Sequence, residues 1–270
     1  MKNKIILITG ATDGIGKQTA LDLAKLGSKV IVHGRNEEKC KNTATEIANK
    51  TGNSDIDYVS ADLASLSQVK DMANLIISKY DRLNVLINNA GVFENEKIFT
   101  SDGYEMTFGV NHLAHFLLTI LLLDLIKSSA PSRIINVSSM AHSGNEFDLE
   151  NLNSEKSFSS YNAYAISKAA NILFTYKLAK DLEGTGVTVN ALHPGVISTK
   201  LLHKGWEIGG ASLESGAATS VYLASSDEVE GVTGKYFSNK RRSRSSSLTH
   251  DEELQQKLWD ISYKMVEKFL

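Results

Sequence analysis

A β-branched stretch, Lys4–Thr9, runs into Thr9-Gly10-Ala11-Thr12-Asp13-Gly14-Ile15-Gly16 and then into a helical stretch from Lys17 to Leu26. Glycine is needed where a backbone turns sharply or comes close to a diphosphate. The helix start adds unpaired N–H groups and the positive end of a dipole. Strand, glycine loop and helix in that order commit the start of the chain to a βαβ unit that holds a dinucleotide. The spacing is Gly-x-x-x-Gly-x-Gly rather than the commoner Gly-x-Gly-x-x-Gly, which marks a distinct subclass of such loops. Gly10, Thr12, Asp13, Gly14, Ile15 and Gly16 are therefore candidate cofactor contacts. Asp13 is expected to point outward or to cap the helix.

The alternation continues along the chain. Val30–His33, Asp57–Ser60, Val85–Asn88, Arg133–Ser138, Val187–Leu192 and a weaker Lys235–Phe237 read as buried strands, and helical patterns separate nearly all of them. This predicts an α/β fold: one doubly wound parallel sheet of the Rossmann type, with helices on both faces and right-handed crossovers. Gly27 and Gly184 close helices, Thr249-His250-Asp251-Glu252 has capping-box spacing, and Leu254, Leu258, Ile261 and Met265 lie along one face of the last helix. With only two prolines and no linker, residues 1–270 read as a single domain. Two segments, 141–160 and 200–213, depart from the repeating unit. They are read either as walls of a substrate pocket beyond the carboxyl ends of the strands or as variable surface loops.

Composition narrows the partners. A net charge of −2 gives no global field for nucleic acid or an anionic membrane. Cys40 is the only cysteine, which fits a reducing compartment, and a cytoplasmic protein is expected. No secretory signal or membrane anchor is evident, and Phe116 to Leu123 is too short to span a bilayer. No metal site is expected. The stretch Asn239-Lys240-Arg241-Arg242-Ser243-Arg244-Ser245-Ser246-Ser247 is read as a solvated loop before the last helix, with RNA, a phosphate-bearing partner or a kinase as the alternative. The long apolar stretches Leu113–Ile126 and Ala165–Leu182 exceed what one sheet face needs, which points to self-association.

The second strand bears on the choice of cofactor, because an acid at its end would bond ribose hydroxyls and repel a 2′-phosphate. Here it ends His33-Gly34-Arg35-Asn36, without a carboxylate. Arg35 offers a fork suited to phosphate, so NADP(H) is expected. Lys17 either adds positive charge to the same site or is simply solvated.

Tyr164 and Lys168 stand one helical turn apart, so the ammonium can lie beneath the phenol and draw its pKa from ~10 toward neutral, as an acid catalyst requires. Tyr176…Lys180 and Tyr236…Lys240 have the same spacing, and only context separates the three pairs.

The ordered motifs supply that context. Asn88-Asn89-Ala90-Gly91, Asn111 within Phe108-Gly109-Val110-Asn111-His112, Asn136-Val137-Ser138-Ser139, and Tyr164 with Lys168 follow the glycine loop in turn. Over nearly its whole length the chain resembles the short-chain dehydrogenases/reductases. It looks most like their retinol dehydrogenase and WW-domain oxidoreductase-like branch, through Gly-Val-Asn-His-Leu-Ala-His-Phe at 109–116, Asn-Val-Ser-Ser-Met-Ala-His at 136–142 and Leu258-Trp259-Asp260. The resemblance implies a nicotinamide-dependent oxidoreductase acting on a small carbonyl or alcohol, assembled as a homodimer or homotetramer. Tyr164 would be the general acid/base, and Ser139 rather than Ser138 would bond the substrate oxygen. Lys168 would bond the nicotinamide ribose, and Asn111 would hold a water that links Lys168 to solvent. It further implies cofactor contacts from Asp62, Leu63, Asn89, Ala90, Gly91, Pro194, Gly195, Val196 and Thr199. A rival reading is a protein that keeps the dinucleotide fold as a sensor or interaction module without useful catalysis.

Overall fold

The computed structural model describes residues 1–143, 147–206 and 208–270. Gly144 to Glu146 and Glu207, which fall in the two expected pocket loops, lie outside the described residues. The elements are β1 (Ile5–Ile8), α1 (Gly14–Lys25), β2 (Lys29–Gly34), α2 (Glu37–Thr51), β3 (Ile56–Ser60), α3 (Leu66–Lys79), β4 (Val85–Asn88), α4 (Met106–Phe108), α5 (Ala114–Ser128), β5 (Ser132–Val137), α6 (Ser160–Asp181), β6 (Val187–His193), α7 (Lys200–Gly205), α8 (Leu213–Ser225), β7 (Lys235–Ser238), β8 (Arg241–Ser243) and α9 (Glu252–Val266). The strands form one sheet in the order β3-β2-β1-β4-β5-β6-β7-β8. All neighbours are parallel except β7 and β8. Strand order reverses between β1 and β4, so a crevice opens at their carboxyl ends.

Both faces of the sheet are buried, as the unbroken apolar strands require. Successive residues of β1 alternate between them. Leu7 packs with Ile31, Leu86 and Ile134 beneath α3, α5 and α6, whereas Ile6 and Ile8 pack with Val30, Val32 and Ile87 beneath α1 and α8. Each such side chain, fully buried, contributes roughly 1.5–3 kcal/mol.

The basic segment departs from expectation. Part of it is the edge strand β8, antiparallel to β7, so the sheet is not parallel throughout. Asn239 and Lys240, at φ 50° and 60°, form the two-residue turn between them. Such hairpin turns need left-handed backbone at both positions and are usually signalled by Asn-Gly. Lysine at the second position hid the turn. Arg241 and Arg242 stand exposed on the outermost strand, where charge discourages a second chain from adding to the sheet.

Helix α9 accounts for the apolar surplus on α5 and α6. Its Leu258, Ser262 and Val266 are buried, and Trp259 meets Phe116 at 5.1 Å and Phe174 at 5.9 Å. The cap of α9 is Asp251, which accepts from Leu254 N at 3.0 Å, and not the expected Thr249. Thr249 is buried instead, donating to Ser246 O at 2.7 Å. The helical run Met106–Ser128 is long and apolar enough by composition to cross a membrane, yet 72% of its apolar window is buried in the fold, as in a core helix. A π-helical turn, Gly109–Leu113, joins α4 to α5 within that run.

Candidate active site

A cleft of about 1300 Å³ opens over the carboxyl ends of the strands, and every expected cofactor contact lines it: Gly10, Thr12 to Gly16, Arg35, Asp62, Leu63, Asn89 to Gly91, and Pro194 to Thr199. A second hollow of about 610 Å³ lies at the opposite end, beside Val85, Arg133 and Val187. None of these contacts is there.

The glycine loop is built for close approach. Gly10 has φ +64°, and a Cβ there would lie 2.8 Å from Ala90 Cα. A Cβ on Gly16 would lie 2.2 Å from Gly10 O, a separation two atoms cannot share. Asp13 caps α1 by accepting from Gly14 N at 2.8 Å and pairs with Lys200, whose hydrogen bond holds its carboxyl below the usual carboxylate range. Lys17 does not line the cleft; its ammonium pairs with Glu46 at 2.7 Å. Asn89 lines the cleft, but its amide donates to Thr9 O at 2.8 Å and braces the loop.

Three residues that sequence reasoning passed over hold this wall. His33 Nδ1 accepts from Gly10 N at 3.2 Å, so its Nε2–H donates to Ala61 O at 3.1 Å. Thr9 Oγ1 accepts from Asn89 N and Ala90 N at 2.9 and 3.0 Å. His115 completes the set, with Nδ1 at 3.1 Å from Asn111 O and Nε2 at 2.9 Å from Thr9 Oγ1. A carbonyl only accepts, so Nδ1 carries the proton and the threonine hydroxyl donates to Nε2. Burial holds both rings neutral, pulling His33 to about 4 and His115 to about 3. Nothing in single-residue patterning distinguishes such histidines from surface ones.

The structure also separates the candidate catalytic groups. Ser138 Oγ donates to Lys168 O at 2.6 Å and bolts β5 to α6, whereas Ser139 Oγ accepts from Ala141 N at 3.2 Å and lines the cleft together with Tyr164. Lys168 is buried and donates from Nζ to Val137 O at 3.2 Å, with the Tyr164 ring centroid 5.5 Å away. Tyr176 instead bonds Ser245 at 2.8 Å, and Tyr236 packs under the His142 ring at 5.0 Å. Among the described residues, neither of those pairs lines the cleft.

One expectation changes here. Burial pushes the Tyr164 phenol up to about 12 rather than leaving it drawn toward neutral; only the nearby Ser139 hydroxyl pulls the other way. The same desolvation takes Lys168 down to about 8. The Asn111 amide is already engaged, accepting from Val92 N at 2.7 Å and donating to Val92 O and Ser167 Oγ at 3.0 Å each. Its side chain braces the turn after β4, and its carbonyl accepts from His115 Nδ1 while keeping a second lone pair.

Beyond Tyr164 the wall becomes aromatic. Phe93 lies 5.6 Å from the Tyr164 ring, Trp206 lies 5.7 Å from it, and the two are 4.9 Å apart. Met140, Tyr161 and Ile208 extend this surface to the mouth. A dinucleotide loop at one end and a Ser–Tyr–Lys set with buried Tyr164 and Lys168 at the other define a nicotinamide-dependent oxidoreductase cleft.

The family model for short chain dehydrogenases matches residues 4–207. The chain is 45% identical to retinol dehydrogenase 13 of Mus musculus over 97% of its own length and 84% of that protein. Among solved structures, an uncharacterized protein of Mycobacterium Paratuberculosis superposes with a TM-score of 0.82 at 31% identity, covering 98% of this chain and 94% of the other. A short chain dehydrogenase of Escherichia coli CFT073 complexed with NADPH gives 0.74 at 26% identity, over 89% and 98% of the two chains. This protein belongs to the short-chain dehydrogenase family.

Proposed function

We propose that the protein is an NADP(H)-dependent oxidoreductase that interconverts a carbonyl and an alcohol, with Tyr164 as the proton donor and acceptor. The observation that carries this reading is the Tyr164 phenol itself: buried, and placed with Ser139 and Lys168 in the cleft that the glycine loop lines. A bound nicotinamide supplies or removes the hydride. The chain's own groups orient the substrate and handle the proton.

Ser139 holds the substrate oxygen beside the phenol. In the reducing direction Tyr164 must begin protonated, and at about 12 it does. It gives up its proton only as alkoxide character builds on the substrate oxygen, the moment at which general acid catalysis acts. The resulting phenolate faces the Lys168 ammonium, still mostly charged at neutral pH with a pKa of about 8. The same lysine bonds the ribose in this reading. NADP over NAD is supported by the exposed Arg35 at the end of β2, where no carboxylate stands, and by the NADPH held in the Escherichia coli neighbour. The apolar wall of Phe93, Trp206 and Ile208 favours an apolar substituent on the carbonyl.

NADPH oxidation across aldehydes, ketones and quinones tests the reading. Tyr164→Phe is expected to lower turnover ~10²–10⁴-fold with NADPH affinity nearly intact. Retained turnover refutes the role of Tyr164. Tight NADPH binding without turnover on any carbonyl would indicate a sensor.

A further inference from the structure

The turn that presents Ser139 is held from outside the cleft by a residue to which the family resemblance assigns no role. Ser139 O accepts two hydrogen bonds from His142, one from its backbone N at 3.2 Å and a shorter one involving Nδ1 at 2.6 Å. On the far side of the ring, Nε2 accepts from the backbone N–H of Ser246 at 3.0 Å. A carbonyl can only accept and a backbone N–H can only donate. His142 is therefore neutral, with its proton on Nδ1. The ring is buried and packs on Tyr236 with centroids 5.0 Å apart, so it has little freedom to turn.

Ser246 is itself anchored. Its carbonyl accepts from Thr249 Oγ1 at 2.7 Å, and the adjacent Ser245 Oγ meets Tyr176 Oη at 2.8 Å and His250 Nε2 at 3.1 Å. The serine-rich stretch after β8 is thus a fixed abutment, and His142 is the strut between it and the peptide that follows Ser139. From the opposite side, Met140 N donates to His193 Nδ1 at 3.3 Å.

We propose that His142 is a positioning residue for the reaction: it transmits the docking of residues 245–250 to Ser139 and so sets the angle at which the serine hydroxyl meets the Tyr164 phenol and the substrate oxygen. This rests on the reading of Ser139 and Tyr164 as the pair that contacts substrate. An angular error at such a pair lowers the rate at unchanged cofactor binding, because orientation rather than affinity is lost.

Three substitutions separate the two ends of the strut. His142→Phe removes both bonds, His142→Gln keeps an acceptor near Nε2 but no donor at Nδ1, and His142→Asn keeps a donor near Nδ1. The probe is the aldehyde turned over fastest with NADPH in the panel above. The Phe and Gln variants are expected to lose about tenfold or more in kcat with NADPH Kd within about twofold, and Asn to restore most of the loss. On a Ser139→Ala background, His142→Phe should cost little more, since the two changes act through one group. A folded His142→Phe protein with wild-type kcat, an Asn variant as impaired as Phe, or a full-size loss on the Ser139→Ala background would each overturn the proposal. Undiminished turnover in Ser139→Ala alone would overturn the underlying pair as well. Independently of turnover, imidazole ¹⁵N spectra of the wild-type protein at pH 7 should show His142 as the Nδ1–H tautomer. An Nε2–H tautomer or an imidazolium would overturn the proposal without touching the assignment of Tyr164.

Discussion

On the cofactor side of the cleft the wall is main chain, braced from behind by Thr9, His33, Asn89 and His115. On the substrate side it is aromatic side chains brought together by three segments: Phe93 after β4, Tyr161 and Tyr164 on α6, and Trp206 after α7. The first wall has almost no tolerance, since a methyl at Gly16 would overlap Gly10 O. The second can be remodelled one ring at a time without disturbing the sheet. A common ligand is gripped by backbone, and a variable one is fitted by side chains.

That contrast is testable. The largest effect is expected from Gly16→Ala, which must displace the loop and should weaken NADPH binding about 100-fold or more in a calorimetric titration. Near-normal affinity would show that the loop yields more than its contacts suggest. Next, Arg35→Ala is expected to raise the Kd of NADPH by about tenfold, the size of one charge-assisted contact, and to leave NADH nearly unchanged. Equal losses for the two cofactors would remove Arg35 from the phosphate site. On the opposite wall, Trp206→Ala should raise KM several-fold while leaving NADPH affinity alone; a matching loss of cofactor affinity would mean that the two walls are not independent.

The smallest effect concerns the braces. His33 and His193 are pulled to about 4 and His115 to about 3, each from an ordinary 6.5, because burial penalises the charged ring. Between those values the unfolded chain takes up protons that the folded chain refuses. Their stabilising contribution is therefore complete above pH 6.5 and is lost as pH falls toward 4. The melting temperature at pH 5 should lie below that at pH 7 by a few degrees, roughly 2–4 °C per kcal/mol lost in a domain of this size. His115→Gln should flatten that dependence, and an unchanged slope would mean that this histidine titrates normally.

How much of this was legible beforehand depended on the range of the interactions. The glycine loop, the seven parallel strands and the Tyr164-to-Lys168 spacing are local: a turn, a period of two, one helical turn. Each leaves its mark within a few residues. The edge strand β8 escaped because its turn uses Asn239-Lys240 in place of a glycine signature, and the cap of α9 was misplaced by two residues because Thr249 had the right spacing but faced inward.

What the amino-acid sequence alone determined, then, was the doubly wound sheet, the loop at its first turn, and a short set of polar residues in the order that the family displays. The tertiary structure decided which of three tyrosine–lysine pairs lines the cleft, and in which direction burial moves their protons. It also placed α9 against α5 and α6. The physical reason is the same in each case. Proton affinity and hydrogen-bond partnership depend on what lies across a gap of a few ångströms, and the groups across that gap come from positions far apart in the chain, such as Ser138 with Lys168, Thr9 with His115, and His142 with Ser246.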